Sequence, residues 1–325
     1  MTPSLAAVVM AAGLGTRMRS ERPKHLHPLL GRRLLDWSIA PVLPLGPDPL
    51  VVVCSPATRE ELAGTLPAGS TLAVQEAPRG TGDAVAAAKP SLEGFEGDVL
   101  VLDGAAPLLT TDLLQDLVGE HRRSGASITV LSIEPDEPLP YGRILRDGSG
   151  ALRAIVEDKD ASPQERAVRE LNTSIYVFRA VDLWRALDGL EARNAQGELY
   201  LTDAVRNLVD AGRGAAVYCA PVADMGLGVN TRAELAEAAS ELRRRIVEEH
   251  MAAGVAVVDP STTWIDPNVV IEPEATLQPF TILRGRTVVR AGAEVGPHAV
   301  VVDSEVAQGA KVEPFTYLRP GGAGG

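Results

Sequence analysis

Cysteine is scarce in this 325-residue chain. There are two, Cys54 and Cys219, with no CxxC pair and no Cys/His cluster. That argues against a disulfide framework or a zinc site and fits a reducing compartment. Both end apolar runs (VVVC and AAVYC) and are expected to be inert core residues. Positive charge is in deficit: 31 Lys and Arg against 43 Asp and Glu leave a net charge of −12. A broad nucleic-acid or anionic-membrane surface is therefore not expected. No stretch approaches the ~20 apolar residues that span a bilayer. Met1–Ser4 carries no basic region, so no signal peptide is expected and a cytoplasmic location is.

Any phosphate site must then be a local cluster of cations. Near the N-terminus one stands out: Arg17, Arg19, Arg22 and Lys24. It follows an apolar run, Leu5–Ala11, and the string Ala11-Ala12-Gly13-Leu14-Gly15-Thr16-Arg17-Met18. Two glycines permit the backbone to converge its N–H groups on an anion. Arg17 adds a planar fork of donors and Lys24 a second cation. A dinucleotide fingerprint needs a small residue where Met18 stands, and a Walker loop needs Gly-Lys-Ser/Thr, so neither fits.

The first 230 residues alternate apolar runs with helical patterns. Strands are predicted at 5–11, 50–54, 71–75 and 98–103, with helices at 34–42, 58–63 and 83–88 between them. This reads as a mostly parallel, Rossmann-like α/β sheet, whose ligands collect at the carboxyl ends of the strands. From residue 127 further β segments follow around turns, as a second half that would cover a substrate. Residues 231–254 read as a connecting helix with a capping box at Thr231 and Glu234 and a stop at Gly254. His121 and His250 read as solvated helix positions, and His25 and His27 as structural.

Residues 255–325 carry the clearest period. Ile265, Ile271, Leu277, Leu283, Val289, Val295 and Val301 are six apart; one residue drops out, and Val306, Val312 and Leu318 resume. Small or β-branched residues follow most of them at a fixed offset: Val269, Ala275, Thr281, Thr287, Ala293, Ala299, Ala310 and Thr316. Hexapeptide repeats of this kind build one face of a triangular parallel β-helix each. His298, the only histidine in the repeat, reads as a rung-surface residue.

The string GLGTRMRSERPK, joined to hexapeptide repeats, resembles the bifunctional N-acetylglucosamine-1-phosphate uridylyltransferase/glucosamine-1-phosphate acetyltransferase family. The likeness continues through Gln75, Arg79–Gly82, Tyr141–Ile144, Ile155–Asp160, Asn172-Thr173, Asn194–Glu198, Leu201–Asp203 and Gly228–Asn230. It implies a left-handed β-helix behind the nucleotidyltransferase domain, a homotrimer, and transfer of uridylyl from UTP to N-acetylglucosamine 1-phosphate. The products would be UDP-N-acetylglucosamine, a cell-wall precursor, and pyrophosphate.

By matching positions, the resemblance implies that Ala12, Gly13 and Gly15 hold the nucleotide through the backbone. Arg17 and Lys24 would neutralise the triphosphate, and Gln75, Gly80 and Thr81 would read the uracil. Gly142, Glu157, Asn172, Glu198, Tyr200 and Thr202 would bind the sugar. A Mg²⁺ ion is implied, held by one aspartate and one asparagine. Asn230 matches the asparagine, but where the family has Gly-Asp-x-Pro this chain reads Gly104-Ala105-Ala106-Pro107.

An engineered inactive variant, a natural degenerate site, or a rearranged site using Asp103 or Asp224 would each explain Ala105. Weakened turnover is expected. The family's acetyl-transfer residues follow the Leu-Arg-Pro-Gly at 318–321, so no acetyltransferase activity is expected from residues 1–325. Two alternatives remain at this stage: a nucleotidyltransferase for another sugar or base, and a protein that binds a nucleotide sugar without turnover.

Overall fold

The computed structural model describes residues 3–320, apart from residue 138 and the side chain of residue 224. Asp224 as a metal ligand, and Gly321 of the Leu-Arg-Pro-Gly string, thus lie outside the described residues. The chain divides into two compact units.

The first unit is built on a mixed sheet. Its central strands are β1 (Leu5–Ala11), β2 (Leu50–Cys54), β3 (Ser70–Val74) and β4 (Asp98–Asp103). Then come β5 (Ile128–Ile133), β6 (Arg143–Arg146), β7 (Leu152–Val156), β8 (Leu171–Arg179) and β9 (Ala215–Cys219). The order is β9-β5-β8-β4-β1-β2-β3, with β6 bridging β8 to β7. β1 runs parallel to β2 and β4, and β2 parallel to β3. β8 reverses against β4 and β5. β1 and β2 are apolar at every position and wholly buried, as a strand covered on both faces must be.

Helices α1 (Leu34–Ile39), α2 (Thr81–Ala87), α3 (Thr111–Ser124), α4 (Ala180–Asp188) and α5 (Leu201–Asp210) accompany the sheet. The side chain of Thr110 accepts from Leu113 N–H to start α3, and Gly125 at φ 63° ends it. Val8, Val51 and Phe178 belong to one apolar cluster, Val9, Val52 and Leu114 to another. These alternating positions fill opposite faces of the sheet.

Two expectations need correction. His121 on α3 is not solvated: it is 2% exposed, and its Nδ1 lies 3.0 Å from Thr129 Oγ1. It comes from the apolar stripe of α3, where Asp98 also waits, 3.6 Å from Nε2. Cys219 is exposed because β9 is an edge strand, whereas Cys54 is buried. Residues 28–33 leave the first unit. They form a hairpin that groups with the second, where Arg32 donates to Asn268 Oδ1 (2.9 Å).

The second unit carries α6 (Arg232–Ala252), opened by a complete capping box between Thr231 and Glu234. A parallel β-helix of three short-stranded sheets follows. Registers Val270↔Val288, Thr276↔Glu294 and Ile282↔Val300 stack equivalent hexapeptide positions. Leu277, Leu283, Val289, Val295 and Val301 are fully buried inside it. Thr281 and Thr287, also fully buried, donate to carbonyls of their own turn and of the next coil. The missing residue falls at a tight corner where Asp303 adopts φ 45°, and pairing resumes at Val288↔Glu305. His298 stacks between Phe280 and Phe315, with ring centroids 4.5 and 4.9 Å apart.

Candidate active site

The loop after β1 starts at the carboxyl end of the central strand. Ala12 is buried and Gly13 is open. Gly15 sits at φ 62°, and a Cβ there would lie 2.6 Å from Lys24 Cβ. Glycine is thus required twice, for the left-handed turn and for the close approach of Lys24. Arg17 stands exposed on the single turn Thr16–Met18. Lys24 is 7% exposed on the next turn.

Lys24 Nζ reaches Asp103 Oδ2 and Asn230 Oδ1, each at 3.3 Å. Asp103 ends β4, beside β1. Its other oxygen accepts the Ala105 N–H (3.1 Å) and lies 3.5 Å from His25 Nε2. Burial alone would raise the Asp103 pKa, but Lys24 and His25 outweigh it and hold the carboxyl well below its usual range. Burial lowers the pKa of His25, with Asp103 opposing. Ala105 is fully buried, and its carbonyl accepts the Val229 N–H (2.7 Å). Gly228 closes the corner; a Cβ on it would lie 3.6 Å from Asp103 Oδ2.

This corner bears on the implied metal. Two hard oxygen donors, one carboxylate and one amide, converge on a point that already holds a cation, the Lys24 ammonium. That donor set fits a divalent ion completed by phosphate and water oxygens. Position 105 adds no side-chain oxygen. Among the described residues no group of three or more His, Cys, Asp or Glu could hold a metal.

At the other end of the crevice, Gln75 follows β3 and is 6% exposed. Its amide donates to Gly80 O (3.0 Å) and Asp83 Oδ2 (2.8 Å). Arg79 clamps the other Asp83 oxygen at 2.6 Å. Both amide hydrogens of Gln75 are therefore spent within the protein, and its oxygen remains to accept. The sequence drew attention to Gln75 but not to Asp83, which orients it. The Arg79–Asp83 spacing of four, from the residue before the N-cap Gly80 into the first turn of α2, is the signal that could have found it. Gly80 takes φ 112°, and a Cβ would meet Leu199 O at 2.5 Å. Thr81 Oγ1 accepts the Leu201 N–H (3.0 Å), which ties this loop to the start of α5.

Glu157, Tyr200, Thr202 and Glu198 line one cavity of about 160 Å³ with Thr81. Gly142 and Asn172 adjoin it: a Cβ on Gly142 would lie 3.5 Å from Asn172 Cβ and 3.6 Å from Glu157 Oε2. Gly142 is not a positive-φ turn residue; a Cβ there would press on the Ile155 side chain at 3.2 Å. Burial raises the Glu157 pKa, opposed by the Thr202 hydroxyl, which donates to Glu157 Oε1 (3.1 Å). Asn172 Nδ2 donates to the buried Tyr176 hydroxyl (2.8 Å). Gln196 and Leu201, which also line the cavity, lie within motifs the sequence marked but were given no role there; Met10, Ser174 and Tyr176 were missed. Their spacing carries no pattern, because a bulge in β8 and the turn before α5 bring them together.

The structure therefore gathers a glycine loop with two cations, an oxygen pair, a buried side-chain amide and a polar cavity. That combination defines a nucleotidyltransferase, and residues 7–174 match the MobA-like NTP transferase domain family. The bifunctional protein GlmU of Corynebacterium efficiens is 42% identical over 341 residues, 98% of this chain and 70% of that protein. GlmU of Mycobacterium bovis is 43% identical over 343 residues, 98% of this chain and 69% of its own length. GlmU of Pelotomaculum thermopropionicum is 41% identical over 332 residues. The chain belongs to the GlmU family, with the N-acetylglucosamine-1-phosphate uridylyltransferase as its front domain.

Proposed function

We propose that this site joins UTP to N-acetylglucosamine 1-phosphate, giving UDP-N-acetylglucosamine and pyrophosphate, at a rate reduced by Ala105. An oxygen of the sugar phosphate attacks the α-phosphorus of UTP; a new P–O bond forms as the bond to pyrophosphate breaks. No protein nucleophile takes part, so the residues act by positioning and by charge. The observation that carries the reading is the polar cavity lined by Glu157, Glu198, Tyr200 and Thr202, together with the glycine loop that carries Arg17 and Lys24.

Ala12, Gly13 and Gly15 present backbone groups to the nucleotide. Arg17 and Lys24 neutralise the departing pyrophosphate. The Gln75 oxygen accepts from uracil, with Gly80 and Thr81 shaping that pocket. Glu157, Asn172, Gly142, Glu198, Tyr200 and Thr202 receive the sugar. Asp103 and Asn230 would hold Mg²⁺, which supplies a Lewis acid for the phosphate oxygens. Lys24 then exchanges Asp103 and Asn230 for the triphosphate.

We assign the assembly as a homotrimer. Ile282, Val300 and Tyr317 line the outer face of one β-helix sheet beside the Phe280–His298–Phe315 ladder. Phe315 is 77% exposed, a large apolar area for an unpartnered surface. Light scattering that returns the mass of one chain would overturn it. No helix among the described residues is long and apolar enough to cross a membrane, in keeping with a cytoplasmic enzyme. Family membership favours uridylyl transfer over another sugar nucleotide or a non-catalytic binder.

Pyrophosphate release from UTP, N-acetylglucosamine 1-phosphate and Mg²⁺ tests the reaction. Faster turnover with dTTP or glucose 1-phosphate would replace the assignment.

A further inference from the structure

Among the cavity residues one is held in a costly backbone conformation. Ser174 has φ 62°, a region that residues with a Cβ rarely enter. It lies inside β8, where pairing with β5 shifts register between Asn172 and Tyr176. Asn172 Oδ1 accepts the Ser174 N–H at 3.2 Å and braces the bulge. Thr173 Oγ1 donates to Leu131 O (2.8 Å) on one side, and Ile175 is fully buried on the other.

The bulge thus frees one residue from the core and turns it toward the cavity that also holds Glu157, Gln196, Tyr200 and Thr202. The neighbouring Tyr176 hydroxyl, which lines the same cavity, accepts from Asn172 Nδ2 (2.8 Å). Glycine would satisfy the backbone here without strain. Strained residues of this kind persist where the surrounding structure over-determines them, and they gather at ligand sites.

We propose that Ser174 is a specificity-determining residue: its hydroxyl hydrogen-bonds the sugar of the nucleotide sugar, and the strain is kept for that contact. This rests on the reading of the cavity as the sugar pocket. Ser174 binds no phosphate and no base, so its contribution belongs to the sugar alone.

Calorimetry on the full chain separates the two ideas, with UDP-N-acetylglucosamine and UDP as probes and Ser174→Gly and Ser174→Ala as variants. Both variants should bind UDP-N-acetylglucosamine ~5–10-fold more weakly, the loss of about one hydrogen bond. UDP affinity should stay within about twofold, since the uracil and phosphate contacts are untouched. Thermal unfolding should split the pair: Ser174→Gly should melt ~2–4 °C higher as strain is released, and Ser174→Ala should not. A role confined to folding would move the melting temperatures without changing the ratio of the two affinities. Unchanged UDP-N-acetylglucosamine affinity in both variants, with the native chain binding normally, overturns this proposal alone. No binding by the native chain overturns the reading of the pocket and this proposal with it.

Discussion

The Lys24 ammonium stands 3.3 Å from the Asp103 carboxylate at the carboxyl end of β4 and equally near Asn230. Lys24 thus ties the glycine loop after β1 to the end of β4 and to Asn230. It neutralises a half-buried acid, and in the proposed reaction it would trade that acid for the triphosphate. Loss of this side chain should therefore be felt in both catalysis and acid stability.

Lys24→Met removes the ammonium and keeps most of the stem. Turnover should fall by about 10²–10³, the usual effect of removing one preorganised charge donor. The acid limb should move as well. Asp103 has a lowered pKa in the fold, so it contributes stability above its ordinary value of 3.8. That contribution is lost as pH falls through the lowered value. Without Lys24 the lowering shrinks, and acid unfolding followed by circular dichroism should begin at higher pH. An unshifted acid limb would show that His25 alone suffices.

Ala105→Asp places a second carboxylate, at a fully buried position, beside the half-buried Asp103. Without metal the two acids repel, and the variant should melt at lower temperature than the native chain. With Mg²⁺ the difference should shrink or reverse, and pyrophosphate release should rise at least ~100-fold. Mn²⁺ titration followed by electron paramagnetic resonance should show tighter binding. If the rate and the Mn²⁺ affinity both stay put, the metal is not held at this corner.

Glu157→Gln should exchange sugar affinity for stability. Burial raises the Glu157 pKa. A raised acid contributes stability below its unfolded value and loses it as pH rises through the folded value. Near neutrality the buried charge is a cost that glutamine avoids, so the variant should be more stable there. The gap should close as pH drops and Glu157 takes up its proton. Denaturant midpoints at acidic and neutral pH check this, and an equal gap at both refutes it.

Gly80→Ala should damage the nucleotide pocket. The left-handed φ and the 2.5 Å approach to Leu199 O leave no room for a methyl. A loss of about 1–3 kcal/mol of stability is expected from strain of this kind. The KM for UTP should rise ~10-fold or more as Gln75, which donates to Gly80 O, is displaced. Unchanged kinetics would mean the loop yields without moving Gln75.

Much of the fold was legible because burial imposes period and composition. LAAVVMA and LVVVC are apolar at every residue, so strands covered on both faces were readable without coordinates. The six-residue period was readable for the same reason: each coil repeats one burial pattern. His121 was misread because its partners, Asp98 and Thr129, come from two strands outside the sequence pattern of α3, β4 and β5. That residues 28–33 group with the second unit was not legible, because nothing local tells a hairpin which neighbour it will pack with.

The site divides along the same line. Sequence by itself determined the glycine loop, its cations, the family motifs and the alanine at 105, since these are contiguous strings whose chemistry depends on residue type. Tertiary structure alone decided that Lys24 meets Asp103 and Asn230, that Asp83 occupies the amide of Gln75, and that a bulge turns Ser174 into the cavity. Those relations join residues far apart in the chain or depend on a backbone angle. Neither distance nor strain is encoded in any local pattern; both follow from how the strands pack.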